Sequence, residues 1–233
     1  MTSIKETGKM TVCKEINMIF DASKKTYGSP RRYHSQPIAP RVFKIEDELP
    51  SGPNQVFAGD ITYLRLGPCF LYLAVVMDIF SRKIVGWSIT NSLETTGVLN
   101  AMKIAFQNCG KTARIIFHSD RGVQYASKVF LELLANKKAI PSMSRKGNCY
   151  DNAFVESFFK SLKSEWLYRN DYVNEAKLRA LVFEFIETWY NRKRMHSPLG
   201  YQSPLEYEVK QLTALKTVHF SWGIPLYSAV SLW

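Results

Sequence analysis

Long hydrophobic runs are missing from this sequence, and their absence limits the classes of protein it can belong to. The longest apolar run, Cys69 to Met77, has the length of a β-strand, whereas a membrane-spanning helix needs about 20 apolar residues. The N-terminus is polar and lysine-rich, without the apolar segment of a secretory signal peptide. We therefore expect no membrane partner and a cytoplasmic location.

Cysteine is scarce, and its arrangement has no recognisable pattern. The four cysteines are dispersed without a Cys-x-x-Cys pair, and the four histidines do not join them at the spacing of a zinc site. The sequence therefore predicts neither a disulfide nor a structural zinc ion.

Acidic residues are too few to balance the basic ones. Lysine and arginine number 31 against 20 aspartates and glutamates, which gives a formal net charge of +11. Net charge bears on association rather than on fold, so it favours a polyanionic partner, with nucleic acid ahead of a membrane surface. The 233 residues, 46% of them hydrophobic, are enough for one substantial core.

Turn-forming residues divide the chain into three predicted parts. A basic turn-rich stretch at Tyr27 to Tyr33 and the run Glu46 to Asn54, which contains Pro50, Gly52 and Pro53, interrupt regular structure. We predict an N-terminal arm at 1–50, a folded core at 51–168, and a C-terminal helical extension with a tail at 169–233. The tail after Lys210 has no clear periodicity.

Hydrophobic periodicity predicts a mixed α/β fold with helices on the faces of the sheet. Two-residue links join the first three predicted strands, so these strands must be antiparallel neighbours. The predicted strands are Val56–Leu66, Cys69–Phe80, Lys83–Thr90 and Arg114–His118. The predicted helices are Glu94–Gln107, Ser127–Lys138, Asp151–Tyr168 and Asn174–Arg192.

Three carboxylates stand out by their positions. Asp60 interrupts an apolar strand, where a lone ionised carboxylate is costly. Asp120 follows a short apolar strand, and Glu156 lies on a helix. Oxygen ligands of this kind select hard cations such as Mg²⁺. Taken singly, each also fits a structural role: a hydrogen-bonded strand residue, a turn residue and a solvated helix position.

Several sequence motifs surround the three carboxylates. They are Pro53-Asn54-Gln55-Val56 with Asp60-Ile61-Thr62-Tyr63, Val76-Met77-Asp78, Ser81-Arg82-Lys83-Ile84-Val85-Gly86-Trp87, His118-Ser119-Asp120-Arg121-Gly122-Val123-Gln124-Tyr125, Asp151-Asn152-Ala153 through Glu156, and Tyr190-Asn191-Arg192 to His196. Thirty-five residues separate Asp120 from Glu156. Together these motifs resemble the DDE transposases, and among them the group named after insertion sequence three, which is related to retroviral integrases and shares this spacing with them.

The resemblance implies an RNase H-like fold with a five-stranded mixed sheet, and it assigns catalysis and metal binding to Asp60, Asp120 and Glu156. The expected cofactor is Mg²⁺ or Mn²⁺, with two ions. The expected reaction is cleavage at element ends followed by strand transfer into target DNA. The expected setting is a homo-oligomer on DNA in a prokaryotic nucleoid, and the arm at 1–50 is expected to be the remnant of a helical DNA-binding region.

Basic and polar residues near the carboxylates are candidate DNA contacts. Helical geometry places Asn152, Lys160 and Lys163 on the same flank of the helix as Glu156, and the resemblance also points to Lys163. The full set of candidate DNA-binding residues is Lys163, Lys160, Asn152, Arg145, Lys146, Arg121, Arg192 and Arg194. Each has the alternative of a solvated surface residue, and His118, which precedes Asp120, is more typical of a structural histidine.

The sequence also departs from the family pattern. Phe57 stands where the family has tryptophan, and only a short stretch separates the Tyr27 to Arg31 motif from the first predicted strand. Two alternatives therefore stay open: a nuclease of the same fold that only hydrolyses DNA, and a truncated or decayed transposase that retains only DNA binding.

Overall fold

A five-stranded mixed sheet forms the centre of the chain, with strand order β3-β2-β1-β4-β5. The computed structural model describes residues 50–110, 114–120, 122–143, 153–172 and 174–221, with side chains to residue 214. The strands are β1 (Val56–Leu66), β2 (Cys69–Asp78), β3 (Ile84–Thr90), β4 (Ile116–Ser119) and β5 (Ile140–Met143). The predicted arm at 1–49 and the residues after 221 lie outside the described residues.

Strand direction follows from the length of the connections. The short links make β1, β2 and β3 an antiparallel meander, as the sequence predicted. Helical crossovers connect the remaining strands, so β4 pairs parallel with β1 and β5 pairs parallel with β4. This arrangement confirms the predicted RNase H-like sheet.

The helices lie near their predicted positions, with differences at several ends. They are α1 (Thr95–Asn108), α2 (Lys128–Asn136), α3 (Ala153–Ser161), α4 (Glu175–Phe183) and α5 (Pro204–Ser221). The predicted long helices at α3 and α4 are not α-helical throughout. The α3 helix continues as a π-helical turn at Leu162–Trp166 and a 3₁₀ turn at Leu167–Arg169, and α4 continues as a π-helix at Glu184–Tyr190.

Helix α5 was not predicted, although its N-terminus carries a capping box. The Glu206 carboxylate accepts a hydrogen bond from the Ser203 backbone N–H at 2.9 Å, and the Ser203 hydroxyl accepts one from Glu206 N–H at 3.4 Å. Pro204 occupies the first helical position, where its missing N–H has no cost. The pattern Ser-Pro-Leu-Glu was therefore a usable start signal for this helix.

The sheet separates two hydrophobic cores. One core joins β1, β2 and β3 to α3 and α4 through residues such as Ala58, Val155 and Leu178. The other joins the opposite face to α1 and α2 through residues such as Phe57 and Phe130. Since neighbouring residues of a strand point to opposite faces, the even-numbered positions of β1 around Asp60 face α3.

The side chain of Asn191 attaches the C-terminal region to the edge of the sheet. Its amide oxygen accepts a hydrogen bond from Ile84 N–H at 2.9 Å, and its amide nitrogen donates to Ile84 O at 3.0 Å. Asn191 is buried, so these bonds satisfy backbone groups of β3 that would otherwise be costly to bury. The C-terminal helices are therefore part of the same packed unit as the sheet.

The two cysteines in the described part of the chain differ in their bonding. Cys109 is a free thiol, whereas Cys69 is disulfide-bonded. The expectation of no disulfide is therefore wrong for Cys69, because a bridge depends on spatial proximity that dispersed sequence positions do not reveal.

No helix among the described residues is long and apolar enough to cross a membrane.

The close contact between Gly86 and helix α1 leads to a prediction about stability. A Cβ atom at Gly86 would stand 2.1 Å from Ala101 O and 2.7 Å from Ala105 N, both backbone atoms. We expect Gly86→Ala to lower the free energy of unfolding by about 2 kcal/mol or more, measured by urea denaturation, because the helix must move away from the sheet.

Gly52→Ala is the matched control, since its Cβ would meet only the movable Gln55 side chain at 3.3 Å. We expect a change within about 1 kcal/mol for that control. Equal stability of the two variants would contradict the close packing of α1 on β3.

Candidate active site

The strand register places Asp60 and Asp120 side by side. Gly59 of β1 pairs with Ser119, the last residue of β4, and each aspartate is the next residue along its strand. Neighbouring strands lie about 4.8 Å apart, so the two aspartates lie close together where the parallel pair ends. This is the carboxyl end of parallel strands, the usual location of sites in α/β sheets.

Glu156 approaches from helix α3, which packs on the β1 face that carries Asp60. Val155 and Phe158 on α3 are buried in the core shared with β1, and they fix that side of the helix against the sheet. Glu156 itself is solvent-exposed, so its carboxylate remains available at the edge of the site.

The pKa of Asp60 responds to its burial and to the charges of the other two carboxylates. Burial raises the pKa of Asp60 from 3.8 to about 7, and the negative charges of Asp120 and Glu156 add to this increase. The hydrogen bond that Ile61 N–H donates to Asp60 Oδ1, at 2.7 Å, acts in the opposite direction. Asp120 and Glu156 thus both lie within electrostatic reach of Asp60.

Neighbouring residues hold both the carboxylate and the backbone of Asp120 in place. Gly122 N–H donates to Asp120 Oδ1 at 2.9 Å, and the Ser119 hydroxyl donates to Asp120 O at 3.0 Å. His118 is fully buried with its Nδ1 3.1 Å from the Ser142 hydroxyl of β5. His118 therefore connects β4 to β5, which is the structural role that its strand-end position favoured.

The donor set fits a hard divalent cation. Three carboxylates with mutually unfavourable charges are stabilised by a cation between them, and Mg²⁺ takes few protein carboxylates while it keeps several waters. Among the described residues, no group of three His, Cys, Asp or Glu side chains is arranged to hold a metal ion. The fit therefore rests on the chemistry of the donor set and on the pairing of β1 with β4, which sets Asp60 beside Asp120.

Lys163 and Lys160 follow Glu156 in the chain and differ in their surroundings. Lys163 is half-buried, with its Nζ 4.5 Å from the centre of the Tyr63 ring of β1, and burial lowers the pKa of Lys163. Lys160 is exposed. Tyr63 thus holds the ammonium group of Lys163 against the sheet, while the exposed Lys160 can reach a ligand in solution.

Arg82 is a contact of helix α3 that the sequence analysis did not assign. Its guanidinium carbon lies 3.3 Å from the centre of the Phe154 ring, two residues before Glu156. Burial lowers the pKa of Arg82 to about 10. The contact joins the β2–β3 turn to the start of α3, and the pattern Ser-Arg-Lys gave no signal of it because the partner is far away in sequence.

Arg194, one of the candidate DNA contacts, is paired with an acidic side chain. Its Nε donates to Glu165 Oε2 at 2.9 Å and its Nη2 donates to Glu165 Oε1 at 2.7 Å. The hydrogen bonds from Arg194 lower the pKa of Glu165. Arg192, in contrast, is exposed and donates its Nε to Glu187 O at 3.0 Å, so part of its guanidinium remains available.

Four other candidate DNA-binding residues fall outside the described residues, namely Arg121, Arg145, Lys146 and Asn152.

Comparison with known protein families is consistent with this geometry. Two family models, both described as integrase core domain, match residues 50–149 and residues 138–204. This chain belongs to the integrase core domain family. The matched region contains Asp60, Asp120 and Glu156.

Curated relatives confirm the resemblance to insertion-sequence transposases. The transposase InsF of insertion sequence IS3A from Escherichia coli is 42% identical over 191 residues, which are 82% of this chain and 66% of the relative. The transposase of insertion sequence element IS904 from Lactococcus lactis is 44% identical over 161 residues, 68% of this chain and 62% of the relative. This integrase core chain thus spans slightly less than two thirds of their length.

Solved structures confirm the fold. The catalytic core domain of HTLV-2 integrase in complex with magnesium matches with a TM-score of 0.52 and 17% identity, covering 67% of this chain and 97% of that one. The chain of a simian T-cell lymphotropic virus intasome matches with a TM-score of 0.59 and 16% identity, covering 99% and 78%. At such low identity these matches support the RNase H-like fold alone.

The raised pKa of Asp60 predicts the pH dependence of stability. The folded-state pKa, about 7, lies above the ordinary value of 3.8. The folded state therefore binds the proton more tightly, and its stability falls as pH rises through this window. In metal-free buffer at pH 8, we expect the free energy of unfolding of Asp60→Asn to exceed that of the wild type by on the order of a few kcal/mol. The gain should be much smaller at pH 4.

Urea denaturation at both pH values measures this difference, with Glu132→Gln as the control. Glu132 is an exposed carboxylate of α2 in a surface pair with Lys128, so that substitution should change stability by less than about 1 kcal/mol. A gain for Asp60→Asn that does not depend on pH would contradict the electrostatic account of Asp60.

Proposed function

We propose that this chain is a polynucleotidyl transferase that cleaves DNA at the ends of a mobile element and joins those ends to target DNA. The observation that carries the proposal is the register of β1 and β4, which sets Asp60 beside Asp120, together with the charge of Glu156 acting on Asp60. The transposase relatives support the substrate class, and the reaction of the whole protein is proposed from them.

We propose that Asp60, Asp120 and Glu156 hold Mg²⁺ or Mn²⁺, with two ions in the working site. When bound, such ions activate the attacking oxygen and stabilise the leaving oxygen of an in-line phosphoryl displacement. Asp60 would supply an ordered ligand, because its strand is paired with β2 and its Oδ1 is held by Ile61 N–H. Glu156 would close the site from the exposed helix edge.

Protein groups other than the carboxylates would position the DNA and neutralise its charge. The exposed Lys160 and the half-buried Lys163 lie on the helix that carries Glu156, so both can meet phosphates next to the reacting bond. We propose additional phosphate contacts for Asn152, Arg121, Arg145, Lys146 and Arg192. For Arg194 we propose a structural role instead, because Glu165 occupies its guanidinium.

The assembly and the cellular location of the chain are also part of the proposal. We propose that the chain works as a homo-oligomer that brings two DNA ends together, and that it acts at the nucleoid in the cytoplasm of a prokaryote. The net charge of +11 and the bacterial relatives support this setting. We further propose that residues 51–168 form the catalytic core, with 1–50 as a DNA-binding remnant and 169–233 as an extension.

The alternative is a truncated or decayed transposase that retains only DNA binding or nuclease activity. Incubation with labelled DNA ends and Mn²⁺ separates the candidates by their products. A transposase yields joined products, a nuclease yields cuts only, and a binding remnant retains DNA without turnover. Cuts without joined products at any ratio of protein to DNA would contradict the proposal.

The first prediction from this proposal concerns the three carboxylates. We expect Asp60→Asn, Asp120→Asn and Glu156→Gln each to reduce joining by at least about 100-fold, because each removes a charge needed to hold the metal. Filter binding of DNA should stay within about threefold of wild type.

Asp171→Asn, a substitution of an exposed carboxylate away from the site, is the control and should join DNA like the wild type. Substantial joining by any one of the three site variants would remove that residue from the proposed site.

A second prediction concerns Lys160. We expect Lys160→Ala to weaken DNA binding uniformly across sequences and to reduce the slope of log binding constant against log salt by about 1, since one phosphate contact is lost. Fluorescence anisotropy with a labelled duplex, titrated over a range of salt concentrations, measures the slope.

The control is Lys103→Ala, because Lys103 is exposed on α1, which packs on the opposite face of the sheet. Its salt slope should equal that of the wild type. Equal slopes for both variants would contradict a DNA path along α3.

A further inference from the structure

Tyr125 lies between the two chain segments that carry the aspartates. A Cβ atom at Gly59, directly before Asp60, would stand 3.5 Å from the Tyr125 ring, and a Cβ at Gly122, two residues after Asp120, would stand 3.4 Å from it. Tyr125 N–H also donates to Gly122 O at 3.0 Å. The ring is therefore fixed against both segments of the site.

The packing around this ring needs no hydroxyl. Tyr125 is only 3% exposed and contacts Phe117 and Phe130, with ring centroids 5.7 and 5.5 Å apart. Both neighbours are phenylalanines, and a phenylalanine would fill the same space at position 125. Packing alone thus does not explain why the residue carries a polar group.

The hydroxyl of Tyr125 is buried and has no hydrogen-bond partner in the described part of the chain. An unsatisfied buried hydroxyl destabilises the folded state, because it has lost its bonds to water. Burial raises the pKa of Tyr125, and the negative charges of Asp60 and Asp120 raise it further. The hydroxyl is therefore within electrostatic reach of both carboxylates and has a hydrogen bond to neither.

We propose that Tyr125 is a positioning residue of the carboxylate site, whose hydroxyl donates a hydrogen bond to an oxygen held between Asp60 and Asp120 when a divalent cation is bound. That oxygen belongs to one of the carboxylates or to another ligand of the cation. The inference rests on the proposed function, because it requires the two aspartates to bind metal. On this proposal, the unpaired hydroxyl destabilises the folded protein only when no cation is bound.

The variant Tyr125→Phe isolates the hydroxyl, since it keeps the ring and its packing. In metal-free buffer we expect its melting temperature to equal or exceed that of the wild type, because an unsatisfied polar group has been removed. Its dissociation constant for Mn²⁺, measured by electron paramagnetic resonance of free Mn²⁺, should rise by about 3-fold to 10-fold. In strand transfer, kcat should fall while KM for DNA stays unchanged.

Tyr168→Phe is the matched control, because Tyr168 is 76% exposed and lies outside the site. It should leave the melting temperature, the Mn²⁺ affinity and kcat unchanged. A purely structural role of the Tyr125 hydroxyl would give the opposite pattern: Tyr125→Phe would melt at a lower temperature than the wild type in metal-free buffer and bind Mn²⁺ normally. That result would overturn the proposal.

A parallel Mn²⁺ titration of Asp120→Asn separates failure of this inference from failure of the proposed function. If Asp120→Asn loses Mn²⁺ affinity while Tyr125→Phe binds like the wild type, the site stands and the role of Tyr125 is refuted. If Asp120→Asn binds Mn²⁺ like the wild type, the carboxylate site itself is refuted, and the role of Tyr125 with it.

Discussion

The charge of Asp60 is the constraint on which the rest of this structure depends. A carboxylate in an apolar strand is costly to ionise, and here the nearby charges of Asp120 and Glu156 increase that cost. A protein with only stability to maintain gains nothing from such an arrangement. Binding of a divalent cation reverses the sign of the interaction, because three adjacent negative charges then favour the bound state.

The fold produces this convergence through the order of its strands. The meander places β1 in the centre of the sheet, and the crossover through α1 returns β4 parallel to β1. Asp60 and Asp120 therefore each follow one member of the Gly59–Ser119 pair. Helix α3 then covers the same face of β1 through buried Val155 and Phe158. The third carboxylate therefore comes from a different element, whose position depends on core packing and not on strand pairing.

Much of this arrangement was accessible from the sequence because it depends on local patterns. The bounds of β1 and the antiparallel meander followed from apolar runs and two-residue links, and the spacing of Asp120 and Glu156 matched a known family. The π-helical end of α4 was not accessible, since the apolar spacing of Val182, Phe185, Ile186 and Trp189 fits a regular helix and does not mark where i to i+5 hydrogen bonds begin.

Contacts between distant residues were the other class that the sequence did not reveal. The sequence predicted Arg194 as a candidate DNA contact and gave no sign of its partner Glu165, which lies 29 positions earlier and meets it only in the folded chain. The unpaired hydroxyl of Tyr125 is likewise a property of its surroundings. Residue type alone does not tell whether a tyrosine hydroxyl has a partner.

The most direct test of the central claim is an anomalous diffraction experiment on crystals of this chain grown with Mn²⁺. The account predicts an anomalous peak within ligand distance of both Asp60 and Asp120, with the Glu156 carboxylate directed towards the same cluster. A well-ordered structure with Mn²⁺ bound elsewhere, or with no peak between the two aspartates, would contradict it.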